Sequence, residues 1–252
     1  MKLSTLFPSS LRSLSSVLLI TAALGSAAAC GDDPADEPTF DPASTQYGKT
    51  MAQWGEAWWT WLVETPATNH PVLGGPCGTA QSGDVFFLTG NFGGTESRNC
   101  TVPAGKALFF PITTNLCYPS PEDPAEGCST PSTTAALTAC AGSDYDDPAV
   151  PKSLEVTLDG EVIADPLSYR AHTGQFSWTA PTDMAEWLFD AVGPIPTNTC
   201  GIPTGDRFGV ADGYWIMLKP LAAGSHTLRF ASTVGAGADA FTIDMTYTIT
   251  QQ

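Results

Sequence analysis

Six cysteines, Cys77, Cys100, Cys117, Cys128, Cys140 and Cys200, fall within one 124-residue stretch, and their spacing constrains this chain more than any other feature. No two are close enough for a CxxC redox pair, and no cluster has zinc-ligand spacing. An even set without such motifs reads as three disulfides formed in an oxidising compartment. Fifteen pairings are open in principle. Loop geometry ranks Cys77 with Cys100 first, as a clamp on the two ends of a strand-and-return unit at 84–99. Cys117 with Cys140 closes a Pro-rich acidic insertion onto the segment that follows it. Cys128 with Cys200 would then join two distant loops, and Cys117 with Cys128 is the competing pair.

The seventh cysteine, Cys30, belongs to a different signal. Lys2 and Arg12 precede an apolar run at 17–24 that ends on Gly25-Ser26-Ala27-Ala28-Ala29-Cys30. That is the layout of a secretory signal, too short to span the roughly 30 Å hydrocarbon core as a lasting helix. The small residues before Cys30 resemble a bacterial lipobox, with Ala27 where Leu is usual. The resemblance implies cleavage after residue 29 and acylation of Cys30, enough lipid for stable anchoring. The alternative, ordinary cleavage that leaves a free Cys30, fits the cysteine parity less well. The acidic, Pro-rich run 30–43 reads as a tether, and Cys30-Gly31-Asp32-Asp33 resembles lipoproteins of large-genome Gram-negative bacteria such as myxobacteria. Gly31 is unlike the aspartate that retains some lipoproteins at the inner membrane, which points to the outer membrane.

Without Lys2 and Arg12, 26 acidic residues face eight basic ones, a formal charge of −18. Such a surface repels nucleic acid and anionic lipid, so the expected contact with a membrane runs through the lipid anchor. Acidic runs at 119–126 and 143–148 read as solvated loops. Asp144, Asp146 and Asp147 lack the glycine and spacing of a calcium loop.

Residues 44–252 read as a single β-rich domain. Strand candidates lie at 84–89, 106–112, 154–158, 161–163, 175–179, 214–218, 227–231 and 241–249. Asp159-Gly160 is a hairpin signal, and Phe241, Ile243, Met245, Tyr247 and Ile249 alternate as in a half-buried strand. The expectation is a mostly antiparallel two-layer sandwich of jelly-roll or Ig-like kind, with a small barrel as the alternative. An amphipathic helix carrying Tyr47, Met51, Trp54, Trp58, Trp61 and Leu62 on one stripe, capped by Ser44 or Thr45, should lie across a sheet. Short helices are expected at 133–141 and 183–191. Asp212-Gly213 reads as a turn.

The Trp-rich helix, the stretch Cys100-Thr101-Val102-Pro103-Ala104-Gly105-Lys106-Ala107-Leu108-Phe109-Phe110-Pro111, and Asp212-Gly213-Tyr214-Trp215 together resemble a group of uncharacterised secreted bacterial proteins. The resemblance implies one exported domain and brings no catalytic residues.

No GxSxG, HExxH, P-loop or GxGxxG pattern occurs, and His70, His172 and His226 are the only histidines. No catalytic residue, metal ligand or cofactor is assigned. His226, in a turn feeding a strand, reads as packed and hydrogen-bonded, and Glu56 and Glu64 as residues of a solvated helix face. Two of the seven tryptophans, Trp59 and Trp187, fall outside the helix stripe and the strands. With outward Tyr169, Arg170 and His172 they are the candidate ligand-binding residues. The reading is a non-catalytic, lipid-anchored envelope module that binds a glycan, a protein or a small ligand. A carboxylate-dependent hydrolase or lyase and a structural envelope component are the alternatives.

Overall fold

The computed structural model describes residues 37–119, 133–183 and 205–252. Cys30, Cys128, Cys200, Trp187 and the expected helix from 183 onward lie outside them, apart from Asp183 itself. The elements in chain order are α1 (Met51–Glu64), β1 (Val85–Phe87), β2 (Gly94–Val102), β3 (Ala107–Cys117), α2 (Thr134–Asp146), β4 (Lys152–Leu158), β5 (Glu161–Val162), β6 (Arg170–His172), β7 (Phe176–Ala180), β8 (Gly205–Leu218), β9 (Gly224–Val234) and β10 (Phe241–Gln251).

The strands form two sheets packed as a sandwich. The first has the order β1-β3-β8-β6, with β7 pairing the same strand β8 next to β6. The second has the order β2-β10-β9-β4-β5. Both are mixed, which corrects the antiparallel expectation: β1 runs parallel to β3, and β2 parallel to β10. The first arises because the chain leaves the sheet after β1, forms β2 in the other sheet, and returns as β3. The second arises because the final strand slots in beside β2.

Phe109 and Phe110 show how the layers stack, since neighbours on a strand point to opposite faces. Phe110 stacks on Phe230 of β9 at 4.7 Å, joining the two sheets. Phe109 stacks on Trp215 of β8 at 5.5 Å, and Trp58 of α1 stands edge-on to Trp215 at 5.6 Å. The first sheet therefore carries the second sheet on one face and α1 on the other. Burial on both faces explains why β3 reads Ala-Leu-Phe-Phe-Pro-Ile without alternation. In β10 one face is wet, and Ile243, Met245, Tyr247 and Ile249 are buried in alternation, while Phe241 at the strand's start is exposed.

Several local expectations change. The fold begins before residue 44: Lys219 donates from its backbone N–H to the Pro38 carbonyl and Phe40 to that of Met217, and the Thr39 hydroxyl meets that of Tyr169 at 2.8 Å. Asp144 and Asp146 lie in the last turn of α2, which runs beyond 141, rather than in a loop. Asp212 and Gly213 lie inside the continuous strand β8, not in a turn. Gly213 is required there because a Cβ would come within 2.7 Å of the Thr113 carbonyl and the Thr114 side chain across the ladder. Asp159-Gly160 is the expected tight turn, both residues at positive φ, 53° and 89°, between β4 and β5.

Two disulfides, Cys77–Cys100 and Cys117–Cys140, are formed. The first ties the loop before β1 to β2, and the second ties β3 to α2. No helix among the described residues is long and apolar enough to cross a membrane.

Candidate functional site

Helix α1 organises the most distinctive surface. Its N-cap is Thr50, not Ser44 or Thr45. Gln53 N–H donates to Thr50 Oγ1 and Thr50 N–H to Gln53 Oε1, a reciprocal capping box. The helix cannot begin earlier because Tyr47 and Gly48 hold positive φ in a turn where Gln46 and Lys49 exchange backbone hydrogen bonds. Gly55 lets the helix approach the sheet, since a Cβ there would sit 3.2 Å from the Trp215 ring.

Each of the four helix tryptophans donates its indole N–H to a different part of the chain. Trp54 reaches Gln46 O at 2.8 Å, Trp58 Leu88 O at 2.8 Å, Trp59 Thr114 Oγ1 at 3.1 Å, and Trp61 Thr79 O at 3.1 Å. Four large rings are thereby locked in place without a free donor.

On one flank of α1 lies an open groove of about 910 Å3. Its floor is the aromatic strip Trp54, Phe87 and Trp61, with Phe87 6.1 Å from Trp54 and 5.4 Å from Trp61. All three rings are half-buried. Gln53, Glu56, Thr60 and Glu64 of the helix form one rim, and Ser82 stands in the loop opposite. The Lys49 ammonium lies 5.6 Å from the Trp54 ring centre. Glu56 Oε1 accepts from Gly174 N–H at 3.2 Å and Glu64 Oε1 from Thr179 N–H at 2.9 Å, which pins the helix to the strands beneath. Both glutamates thus do more than face water. At eight residues' separation their backbones stand about 12 Å apart along the axis, and each carboxylate is tied to a different backbone donor.

On the other flank a smaller cavity of about 270 Å3 is lined by Trp58, Trp59, Leu62 and Val63 together with β3. Tyr118 stands on the same wall, and burial pushes its pKa up to about 12.

The residues singled out from sequence do not converge. Trp59 is half-buried on the cavity wall, its donor taken by Thr114. Tyr169 is buried rather than outward, because its hydroxyl meets Thr39 beneath the N-terminal arm. Arg170 is committed to Asp212 and Asp146, each at 2.7 Å. His172 is exposed beside it, in a hollow that also holds Thr138 and Ala171. His70 is buried: Val72 N–H donates to Nδ1, so Nε2 carries the proton and donates to Leu62 O, and burial lowers its pKa. His226 bridges Asp159 and Ala222 O, as packed as its turn suggested.

Sequence reasoning missed Trp54, Trp61 and Phe87 as groove residues by placing the tryptophans wholly in the core. Four indoles in fourteen helical residues are more than one buried stripe can hide, and that excess was the available signal.

No protein-family model and no curated protein matches the chain. One solved structure, titled "Solution Structure of Amebosin", aligns at 9% identity over 67% of this chain and 99% of its own, with a TM-score of 0.19, too low to imply a shared fold.

Proposed function

We propose that this protein is a lipid-anchored, extracytoplasmic binding module whose α1 groove takes a neutral glycan chain. The observation that carries this reading is the strip Trp54–Phe87–Trp61 on the floor of an open groove rimmed by Gln53, Glu56, Thr60 and Glu64. A sugar ring has an apolar C–H face and a belt of hydroxyls. Fixed aromatic rings suit the first, and amide, hydroxyl and carboxylate groups suit the second. Oε1 of each rim glutamate is held by a backbone donor, which orients the carboxylate before a ligand arrives. The acidic rim and the overall negative charge disfavour acidic polymers.

Anchoring through Cys30 is supported by the signal at 1–29 and residence at the outer membrane by Gly31, and the two disulfides fit an oxidising compartment. For the scaffold, the jelly-roll type is favoured over the Ig-like one by the chain's repeated exchange between sheets along β1, β2 and β3. Binding is favoured over hydrolysis because each groove carboxylate is engaged as an acceptor by a backbone N–H of the scaffold, a positioning role.

The test is tryptophan emission of the full chain, titrated with neutral cell-wall and capsular oligosaccharides. Trp61→Ala should weaken the response at least tenfold, Trp61→Phe should restore part of it, and Trp59→Ala should leave it intact. A native protein that responds to no glycan, or a Trp61→Ala variant that responds like the native one, refutes the glycan reading. Detergent-phase partitioning tests the anchor separately: Cys30→Ser should move the protein to the aqueous phase.

A further inference from the structure

Strand β1 covers only the start of β3, pairing Val85 with Ala107 through Phe87 with Phe109 and ending on Leu88 N–H to Phe109 O at 3.0 Å. The chain then turns toward the second sheet, where the Tyr247 hydroxyl donates to Thr89 O at 2.9 Å. Beyond that point, among the described residues, β3 is paired on one side only, with β8. The 270 Å3 cavity lies against its other side. Six consecutive β3 residues, 111–116, line it. Side chains alternate along a strand, so such a run lines one space only when the strand is met edge-on. The register slip between Pro111 and Thr113 adds to this by bending the strand there.

Most of the rest of the described wall is apolar, with Trp59 and Val63 from α1 and Ile243 from β10. Trp59 offers no donor, because its N–H goes to Thr114 Oγ1 and that hydroxyl in turn donates to Asp212 O. Among the described residues, no Asp, Glu, Lys, Arg or His lines the cavity. Among the described residues its polar groups are the β3 edge and the neutral side chains of Asn91, Thr113, Thr114, Asn115 and Tyr118.

We propose that this cavity is a second binding site, for a small uncharged ligand with an apolar body and one neutral hydrogen-bonding head. An apolar cavity of ~150 Å3 accommodates benzene. The larger space here takes a ring or short alkyl chain together with an alcohol or amide that meets the open edge of β3. A charged head would lose its water with no counter-charge on the wall, so carboxylates and amines are excluded. The site does not depend on the glycan groove, which lies on the other flank of α1.

The experiment uses the full chain carrying Cys30→Ser, so that no detergent competes for the cavity. Benzyl alcohol and 1-hexanol are the probes, with benzoate and hexylamine as charged counterparts, read by ligand-observed saturation-transfer NMR and by melting temperature. The neutral probes should receive saturation and raise the melting temperature, and the charged ones should do neither. Leu116→Trp, which fills the cavity from a half-buried position, should weaken neutral binding at least tenfold. If that variant does not fold, Val72→Phe fills the space from another wall. Trp61→Ala should leave the response unchanged, which separates this site from the groove. Equal binding of the charged probes, undiminished binding in a folded filled variant, or no binding of either neutral probe up to its solubility overturns the proposal.

Discussion

The guanidinium of Arg170 closes on the carboxylate of Asp212 through two hydrogen bonds, Nε to Oδ1 at 3.1 Å and Nη2 to Oδ2 at 2.7 Å. Asp212 is buried in β8, and Arg170 also reaches Asp146 on α2, so one cation joins a strand, its edge neighbour β6 and a helix. Removing Arg170 would strand a buried carboxylate. Arg170→Met should cost about 3 kcal/mol, the lower end for a broken buried pair because Arg170 keeps partial contact with water. The double variant Arg170→Met, Asp212→Leu should recover most of that loss. Urea unfolding measures both, and a single variant as stable as the native protein would show that the pair holds nothing together.

Gly55 gives a prediction against intrinsic propensity. In an exposed helix Gly→Ala gains about 0.5–1 kcal/mol. Here the new methyl would press on Trp215, which is fully buried and fixed between Phe109 and Trp58. Overpacking of this kind costs roughly 1–3 kcal/mol, so Gly55→Ala should lower stability. A higher melting temperature would mean that the helix can shift outward.

The pair His226–Asp159 makes stability depend on pH. His226 Nδ1 faces Asp159 Oδ2 at 2.7 Å and Nε2 faces Ala222 O at 2.9 Å, two acceptors that only the protonated ring can serve together. The hydrogen bond to Asp159, then that to Ala222, raises the His226 pKa above 6.5. Burial pushes the Asp159 carboxyl up, but donors from His226 and Thr227 outweigh it and hold the pKa below 3.8. The His226 contribution is complete below its unfolded value and is lost as pH rises through its raised folded value. The Asp159 contribution is complete above its own unfolded value and is lost as pH falls through its lowered one. The melting-temperature gap between native protein and His226→Gln should be widest near about pH 5 and vanish by about pH 9, well above an ordinary histidine pKa. A constant gap would leave the titration of His226 out of the fold's stability.

The disulfides each close a sequence separation of 23 residues. In the chain-entropy model a bridge of that span stabilises by ~3 kcal/mol, mainly by restraining the unfolded chain. Cys77→Ala with Cys100→Ala, and the matching Cys117–Cys140 pair, should each lower the urea midpoint without disturbing the native far-UV spectrum. Reduction of the native protein should lower it further, and equal midpoints with and without reductant would count against a stabilising role.

The readings that came directly from sequence are those whose cause is local. The alternation in β10 appears because one face of that strand is wet. The Asp159-Gly160 turn appears because its two positive φ angles suit few other residues. A Trp-rich helix ahead of Pro66 was legible from its spacing, and so was the Cys77–Cys100 pairing, although the strands between its ends, β1 and β2, lie in different sheets rather than forming a strand and its return. β2 was not legible: it lies at a sheet edge, and only Cys100 and Val102 of its nine residues are buried. Asp212-Gly213 carries the same local signal as a turn. Only the ion pair with Arg170 and the crowding by Thr114 show why an aspartate and a glycine belong inside a strand.

The sequence by itself determined the chain's β-rich character, its helix and its hairpin, because each follows from the φ, ψ and burial preferences of neighbouring residues. The tertiary structure alone decided the parallel pairings, the groove and the cavity. The groove needs Phe87 of β1 between Trp54 and Trp61 of α1, and the cavity needs the place where β1 stops covering β3. Those contacts join residues more than twenty positions apart, and the free energy that selects them comes from packing the two sheets and the helix together, a quantity no local window of sequence contains.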